Sequence, residues 1–180
     1  QDLRTGNYSL MDYNFTSPAI SLLSNEPTVV NLSASRGLEL FDYPGVYKTK
    51  DEGDAVAKVR MQEEEATHML INALSNCRSL MSGSSFDLEN HDRTDQNTSY
   101  VLTSVQQVAS MGDVYISGAE GTETYSNSFT CIPASVVYRP SRLVPKPFVQ
   151  GPQTALVVGK NDEEIWVDSY GRVKVQVYWD

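Results

Sequence analysis

The stretch "RPSRLVPKPFVQGP", Arg139 to Pro152, carries Pro140, Pro145, Pro147 and Pro152. Each proline restricts φ and removes a backbone donor, so this stretch is extended and unsuited to a central strand. It divides the chain. Residues 1–141 read as one domain, 142–150 as a proline-rich linker, and 151–180 as the incomplete beginning of another. Charge follows the same division. Up to Tyr138 there are 8 Lys and Arg against 18 Asp and Glu, and from Arg139 onward 6 against 5. The acidic part repels a phosphate backbone, which argues against nucleic acid as a partner. No apolar run approaches the roughly 20 residues that span a bilayer, and no signal peptide opens the sequence. The opening "QDLRTGNYSLMDYNF" reads as the middle of a longer protein.

The end of the chain alternates strictly. Val173, Val175, Val177 and Trp179 fall on one face, and Arg172, Lys174, Gln176 and Tyr178 on the other. That period of two predicts a half-buried strand. "EEIWVD", Glu163 to Asp168, precedes it as a second strand, and "DSYG" ends in the glycine that a tight turn favours. A hairpin alone is marginal in water, so its apolar face needs a cover that these residues do not supply.

Upstream, a helix is expected over Asp54 to about Asn76. Asp54 is its N-cap, and Val56, Val59, Ala66, Leu70, Ala73 and Leu74 form its apolar stripe. The Glu63-Glu64-Glu65 run reads as a solvated face, because consecutive helical residues point about 100° apart and cannot converge on one ion. Tyr8 to Phe15 shows no clean period. Strands are expected around Thr28 to Leu32, in "LELFDYPGVY" ahead of a Pro44-Gly45 turn, and after the Gly-Ser turn of "LMSGSSFDLENH". Further strands are expected in "SYVLTSVQQVAS" (Ser99 to Ser110), "GDVYISG", "NSFTCIPASVVYR" and "TALVVG". Short strands with Gly, Ser and Asn turns suggest an antiparallel sandwich or barrel, mainly β, with one helix packed on it.

Chemistry is sparse. His68 lies within the expected helix and His91 in "DLENHDRTDQN", with Asp87, Glu89, Asp92 and Asp95 near it. That run lacks EF-hand spacing and the required glycine, and reads as a polar loop. Ser84 has no following glycine to make a nucleophile elbow. Cys77 and Cys131 form no C-x-x-C pair and read as small semi-buried side chains, although a bridge between them stays open. The N-x-S/T triplets at Asn7, Asn14, Asn31 and Asn97 read as chance matches. No zinc spacing, phosphate loop or cofactor fingerprint occurs, so no catalytic, metal or cofactor-binding residue is assigned.

Several blocks nevertheless occur together: "LELFDYPGVY", "CRSLMSGSSFDLENH", "NTSYVLTSVQQVAS", "SFTCIPASVVYRP" and "PKPFVQGPQTALVVG", ending in "DEEIWVDSYGRVKVQVYWD". In that order they resemble the valine-glycine repeat protein G (VgrG) family, the spike proteins of type VI secretion systems. Gln107 stands where the family pattern has His. "GKNDEEIWVD" replaces a more usual glycine-containing turn, and Val177 and Tyr178 replace Phe and His. The resemblance implies the latter half of a phage-tail-hub-like domain over 1–141, a tube-like β-barrel with the helix packed on it, and the first strands of an oligonucleotide/oligosaccharide-binding (OB) barrel over 151–180. It also implies a homotrimer in the full-length protein, with a monomer or weak association expected without the needle. The tube of hexameric haemolysin-coregulated protein, a tip protein and effectors are the implied partners. On this resemblance the spike assembles in the bacterial cytoplasm, is translocated through the type VI apparatus, punctures a membrane mechanically, and needs no cofactor or catalysis. The same architecture would serve a contractile phage tail hub. An enzyme or a free-standing OB binding module fits the residues less well.

Overall fold

Thr49 starts the helix. Its hydroxyl accepts from the Glu52 N–H at 3.4 Å, and the Glu52 carboxylate accepts from the Thr49 and Lys48 N–H groups, forming a capping box. The helix, α1, therefore spans Lys50–Ala66 rather than Asp54 to Asn76. Asp54 is not its cap but the i+4 ion-pair partner of Lys50. Thr67 closes the last turn with its N–H on Glu64 and Glu65 carbonyls. The residues beyond it return to a period of two and form a strand, Ile71–Ser75, with Ile71, Ala73 and Ser75 less exposed than Asn72 and Leu74. The stripe that faces the core is Gly53, Ala57, Met61 and Glu65, each four apart. Val59 and Leu70 lie exposed. Two members of the true stripe are small and one is charged, which is why a search for large apolar residues misses it.

The computed structural model describes residues 3–30, 37–110, 123–160 and 163–179. The protein is mainly β with one α-helix among the described residues, and it divides into two units, 1–141 and 142–180. In the first unit, β1 (Asn7–Leu10) is the centre of a sheet. It pairs antiparallel with β2 (Ser24–Pro27) and parallel with β3 (Glu39–Asp42), giving the order β2-β1-β3. The parallel pair was not anticipated from the antiparallel texture of the sequence. The strand expected at Thr28 to Leu32 lies earlier, at β2, and the part of it from Asn31 lies outside the described residues, as does "GDVYISG". Helix α1 packs on β1 and β2, enclosing Tyr8, Leu10, Leu22, Tyr47, Ala57 and Met61. Burying side chains such as Leu10 and Met61 stabilises the unit by roughly 1.5–3 kcal/mol each.

Tyr47 locks that core. Its hydroxyl lies 2.6 Å from the Leu22 carbonyl and 3.0 Å from that of Leu10, and its single proton serves one at a time. Gly53 leaves the room this ring needs, since a Cβ there would stand 2.5 Å from the Tyr47 ring and 2.4 Å from Ser24 Oγ. Asp12 holds the loop that delivers Tyr47. Its carboxylate accepts from the N–H groups of Tyr13 at 2.7 Å, Val46 at 2.6 Å and Tyr47 at 3.2 Å. The bond to Val46 offsets a left-handed backbone, φ 61°, that a β-branched residue rarely adopts.

A second sheet has the order β4-β7-β6-β5, with β4 the Ile71–Ser75 strand, β5 Ser85–Asp87, β6 Ser99–Ser110 and β7 Thr124–Pro133. All its pairs are antiparallel. A bulge between Leu102 and Ser104 re-phases β6, so Tyr100, Leu102 and Val105 share one face despite their uneven spacing. After β7 the chain returns toward α1, where Arg139 Nε donates to Gln62 Oε1 at 2.9 Å.

The second unit contains β8 (Ala155–Val157) paired antiparallel with β9 (Val175–Val177). The expected strand Glu163–Asp168 does not form as one; it meets the segment ahead of β9 through the Val167–Val173 bridge. The turn between them forms as glycine and aspartate dictate. Gly171 has φ 77°, and Asp168 Oδ1 accepts from the Tyr170 and Arg172 N–H groups at 2.9 and 3.0 Å. Among its described residues none is buried, and Leu156, Val175 and Trp179 are 58%, 49% and 72% exposed.

Gly53→Ala tests the close approach. Helix propensity alone predicts a gain of about 1 kcal/mol, but overpacking against Tyr47 should instead destabilise by about 1–3 kcal/mol, read as a lower Tm of the first unit. Asp12 gives a pH dependence. The N–H of Tyr13 first, then those of Tyr47 and Val46, hold its pKa below the ordinary value of 3.8. A depressed folded-state pKa contributes stability that is present above the unfolded value and is lost as pH falls through the folded one. Asp12→Asn should therefore flatten the loss of Tm below about pH 4, with little change in slope at neutral pH.

Candidate interaction surface

One face of the second sheet is aromatic. Phe86 stacks on Tyr100 with centroids 5.6 Å apart and meets Phe129 edge-on at 5.6 Å. The registers Leu102↔Cys131↔Ile71 and Val105↔Phe129↔Ala73 continue that face across β6, β7 and β4. The next row is polar: Gln107, Asn127 and Ser75. Two of its amides hold the segment after β4 across the end of the face. Asn127 Nδ2 donates to the Cys77 carbonyl at 2.7 Å and Gln107 Nε2 to that of Leu80 at 3.2 Å. Leu80 then packs against the aromatic cluster. Gln107, which departs from the family pattern noted above, thus has a structural task.

Between this strap and the loop after β5 lies a groove of about 530 Å³. Its lining is predominantly apolar and includes Leu80, Phe86, Leu88, Tyr100 and Phe129. A concave, largely apolar wall is the form of a surface that binds a ligand or a partner. The loop at its mouth is built by short-range polar bonds. His91 N–H donates to Asn97 Oδ1 at 2.8 Å, Asn97 Nδ2 returns a bond to the His91 carbonyl at 3.3 Å, and the Arg93 N–H donates to His91 Nδ1 at 3.0 Å. Arg93 pairs with Asp95 at 2.6 Å, and a single 3-10 turn, Thr94–Gln96, follows.

The residues considered for chemistry do not converge. His68 is buried just beyond α1, whereas His91 is exposed on the loop. Asp87 accepts from the Ser99 hydroxyl, while Glu89 and Asp92 are exposed. Among the described residues no group of three His, Cys, Asp or Glu side chains is placed to hold a metal ion. Ser84 Oγ donates to the Met81 carbonyl within a turn. The Glu63-Glu64-Glu65 run is not a solvated face. Glu63 pairs with Arg60 at 3.3 Å and Glu64 with Arg4 at 3.6 Å. Glu65 is buried and accepts from the Thr28 hydroxyl and the Val29 N–H, both at 2.7 Å. Each carboxylate has a nearby donor, which is what allows the run to leave water. Composition gives no sign of this, because Arg4 and Thr28 are remote in sequence.

Cys131 is buried in the aromatic face and Cys77 is exposed on the strap; both are free thiols. Burial pushes the Cys131 thiol up. The Ser79 hydroxyl, 3.2 Å from Cys77 Sγ, and after it the Ser79 and Leu80 N–H groups draw the Cys77 thiol down.

A family model described as the phage tail baseplate hub (GPD) matches residues 1–112. The chain belongs to the phage tail baseplate hub family. This hub chain is also similar along its whole length to longer proteins. It is 35% identical to the type VI secretion system spike protein VgrG1b of Pseudomonas aeruginosa, covering 100% of this chain and 24% of the relative. It is 34% identical to VgrG1c of the same species, covering 100% and 25%. The actin cross-linking toxin VgrG1 of Vibrio cholerae is 35% identical over 95% of the hub chain and 16% of that protein. The chain thus spans about a quarter or less of the length of these curated relatives.

The two thiols should be separable. In the native hub chain a thiol reagent should modify Cys77 and spare Cys131 until unfolding, as counted by mass spectrometry. Ser79→Ala should move the pH midpoint of Cys77 modification upward, since it removes the largest cause of the lowered pKa.

Proposed function

We propose that the chain is the hub-side portion of the puncturing spike of a type VI secretion system. The similarity of the entire chain to proteins named as type VI spike proteins carries this reading. Residues 1–141 would supply part of a tube-like hub barrel, 142–150 a linker, and 151–180 the opening strands of an OB-type barrel. Three chains, each with two tube-like barrels, would present a pseudo-sixfold ring to a hexameric tube. The narrowing end would carry a tip protein and effectors. Sheath contraction would drive the assembly from the cytoplasm through a target membrane. The work in this reading is mechanical, and the chain itself performs no catalysis. The uncovered apolar side chains of the second unit, Leu156, Val175 and Trp179 among them, support an assembly whose interfaces are large and partly apolar.

The family description favours a second reading, a hub of a contractile phage tail or phage-like particle. One experiment addresses both. Deleting the gene should remove the hexameric tube protein from the culture medium, and the full-length reading frame should restore it, whereas a version lacking the segment matching residues 1–141 should not. Unchanged tube release, with the protein instead recovered in capsid-bearing or free contractile particles, would replace the first reading with the second.

A further inference from the structure

The strap between β4 and β5 is fastened to the sheet by side chains. Among the described residues, the backbone–backbone bonding of residues 76–82 is local, from the Ser84 N–H to the Met81 carbonyl at 3.1 Å. The hold on the sheet comes from the Asn127 and Gln107 amides on the Cys77 and Leu80 carbonyls, and from the Ser82 hydroxyl on the Thr103 carbonyl at 2.8 Å. The Arg78 guanidinium adds a contact 5.5 Å over the Tyr125 ring. Backbone bonding to β6 resumes at Gly83, whose N–H donates to the Leu102 carbonyl at 2.8 Å. Gly83 has φ 86° and open space where a Cβ would stand, so the chain can turn there with little hindrance. Leu80 is the strap's contribution to the aromatic cluster, while Cys77, Arg78, Ser79 and Met81 are exposed. The closed strap also leaves an acceptor unmet. Asn127 is buried, its amide nitrogen serves the Cys77 carbonyl and the Tyr125 hydroxyl, and its Oδ1 has no partner among the described residues.

We propose that residues 76–82 form a latch that swings open about Gly83 while the β4-β7-β6-β5 sheet stays paired, and that the Asn127 and Gln107 amides set how often it does. A segment with one apolar anchor and side-chain fastenings opens at a lower free energy than the strands it crosses. Opening breaks three side-chain hydrogen bonds and no strand pairing. A buried acceptor left unpaired weakens the closed state further. Swinging out withdraws Leu80 and Cys77 from the lining of the groove and widens access to Phe86 and Leu88. The latch belongs to the second sheet by itself and is the same in a secretion spike and in a phage tail hub.

The test uses the full 180-residue chain and trypsin, with cleavage after Arg78 followed by mass spectrometry. Arg78 lies on the strap, so the cut there reports its opening. Slow cleavage of the native chain is expected, rising little with urea below the unfolding transition, because a local opening exposes little surface. Gln107→Ala should speed the cut about fivefold, as loss of one hydrogen bond does, without lowering Tm. Gln107 is exposed, and Ser82→Ala, which removes a fastening from the strap itself, should act in the same way should the first variant lose stability. Cleavage after Arg78 that climbs with urea as steeply as global unfolding overturns the proposal. So does a strap that is not cut in the native chain, or one cut at the same rate in both variants as in the unaltered chain.

Discussion

The phenol of Tyr47 is the constraint on which the first unit depends. It reaches the carbonyls that end β1 and precede β2, so a single side chain ties the sheet to the approach of the helix. For that ring to fit, position 53 must lack a Cβ and the Asp12 carboxylate must hold the backbone of Val46 and Tyr47. A buried hydroxyl left without a partner costs about 1–3 kcal/mol, so this arrangement is kept or lost as a whole. The same economy of small side chains lets α1 lie close to β1 and β2 through Gly53 and Ala57.

The second sheet solves a different problem. Its long strands would expose an aromatic face if nothing crossed it. The amides of Asn127 and Gln107 pull the strap inward, and Leu80 adds to the apolar cluster. The opening that remains is largely apolar, with Phe86, Leu88, Tyr100 and Phe129 among its lining. The terminal unit extends that logic, since a chain segment with no buried residue among those described gains its stability from whatever covers it.

Legibility varied with the range of the interactions. Ser99–Ser110 is legible in its bounds because the stretch is rich in β-branched and aromatic residues, whereas the bulge that sets its facing is not. The Asp168–Gly171 turn was readable because glycine and aspartate impose it locally. Helix α1 is legible as an element but not in its bounds: Asp54 mimics the start signal that the capping box Thr49–Glu52 supplies, and the strand Ile71–Ser75 continues the same apolar run. Ile71, Ala73 and Leu74 suit either period over so few residues, and only pairing with β7 decides between them. Glu65 was read as solvated because its donors, Thr28 and Val29, lie 37 and 36 residues away.

By itself, the sequence determined that this chain is mainly β with one helix, that its composition carries no familiar catalytic pattern, and that its ordered blocks belong with spike and hub proteins. These properties reside in local periodicity, turn chemistry and motif order, none of which requires distant residues to meet. Only the tertiary structure decided where the helix ends, that β1 and β3 run parallel, that three adjacent glutamates are each partnered, and that an aromatic groove lies beneath the strap. Each depends on contacts between residues far apart in the chain, and no short-range pattern specifies which distant donor, ring or strand arrives.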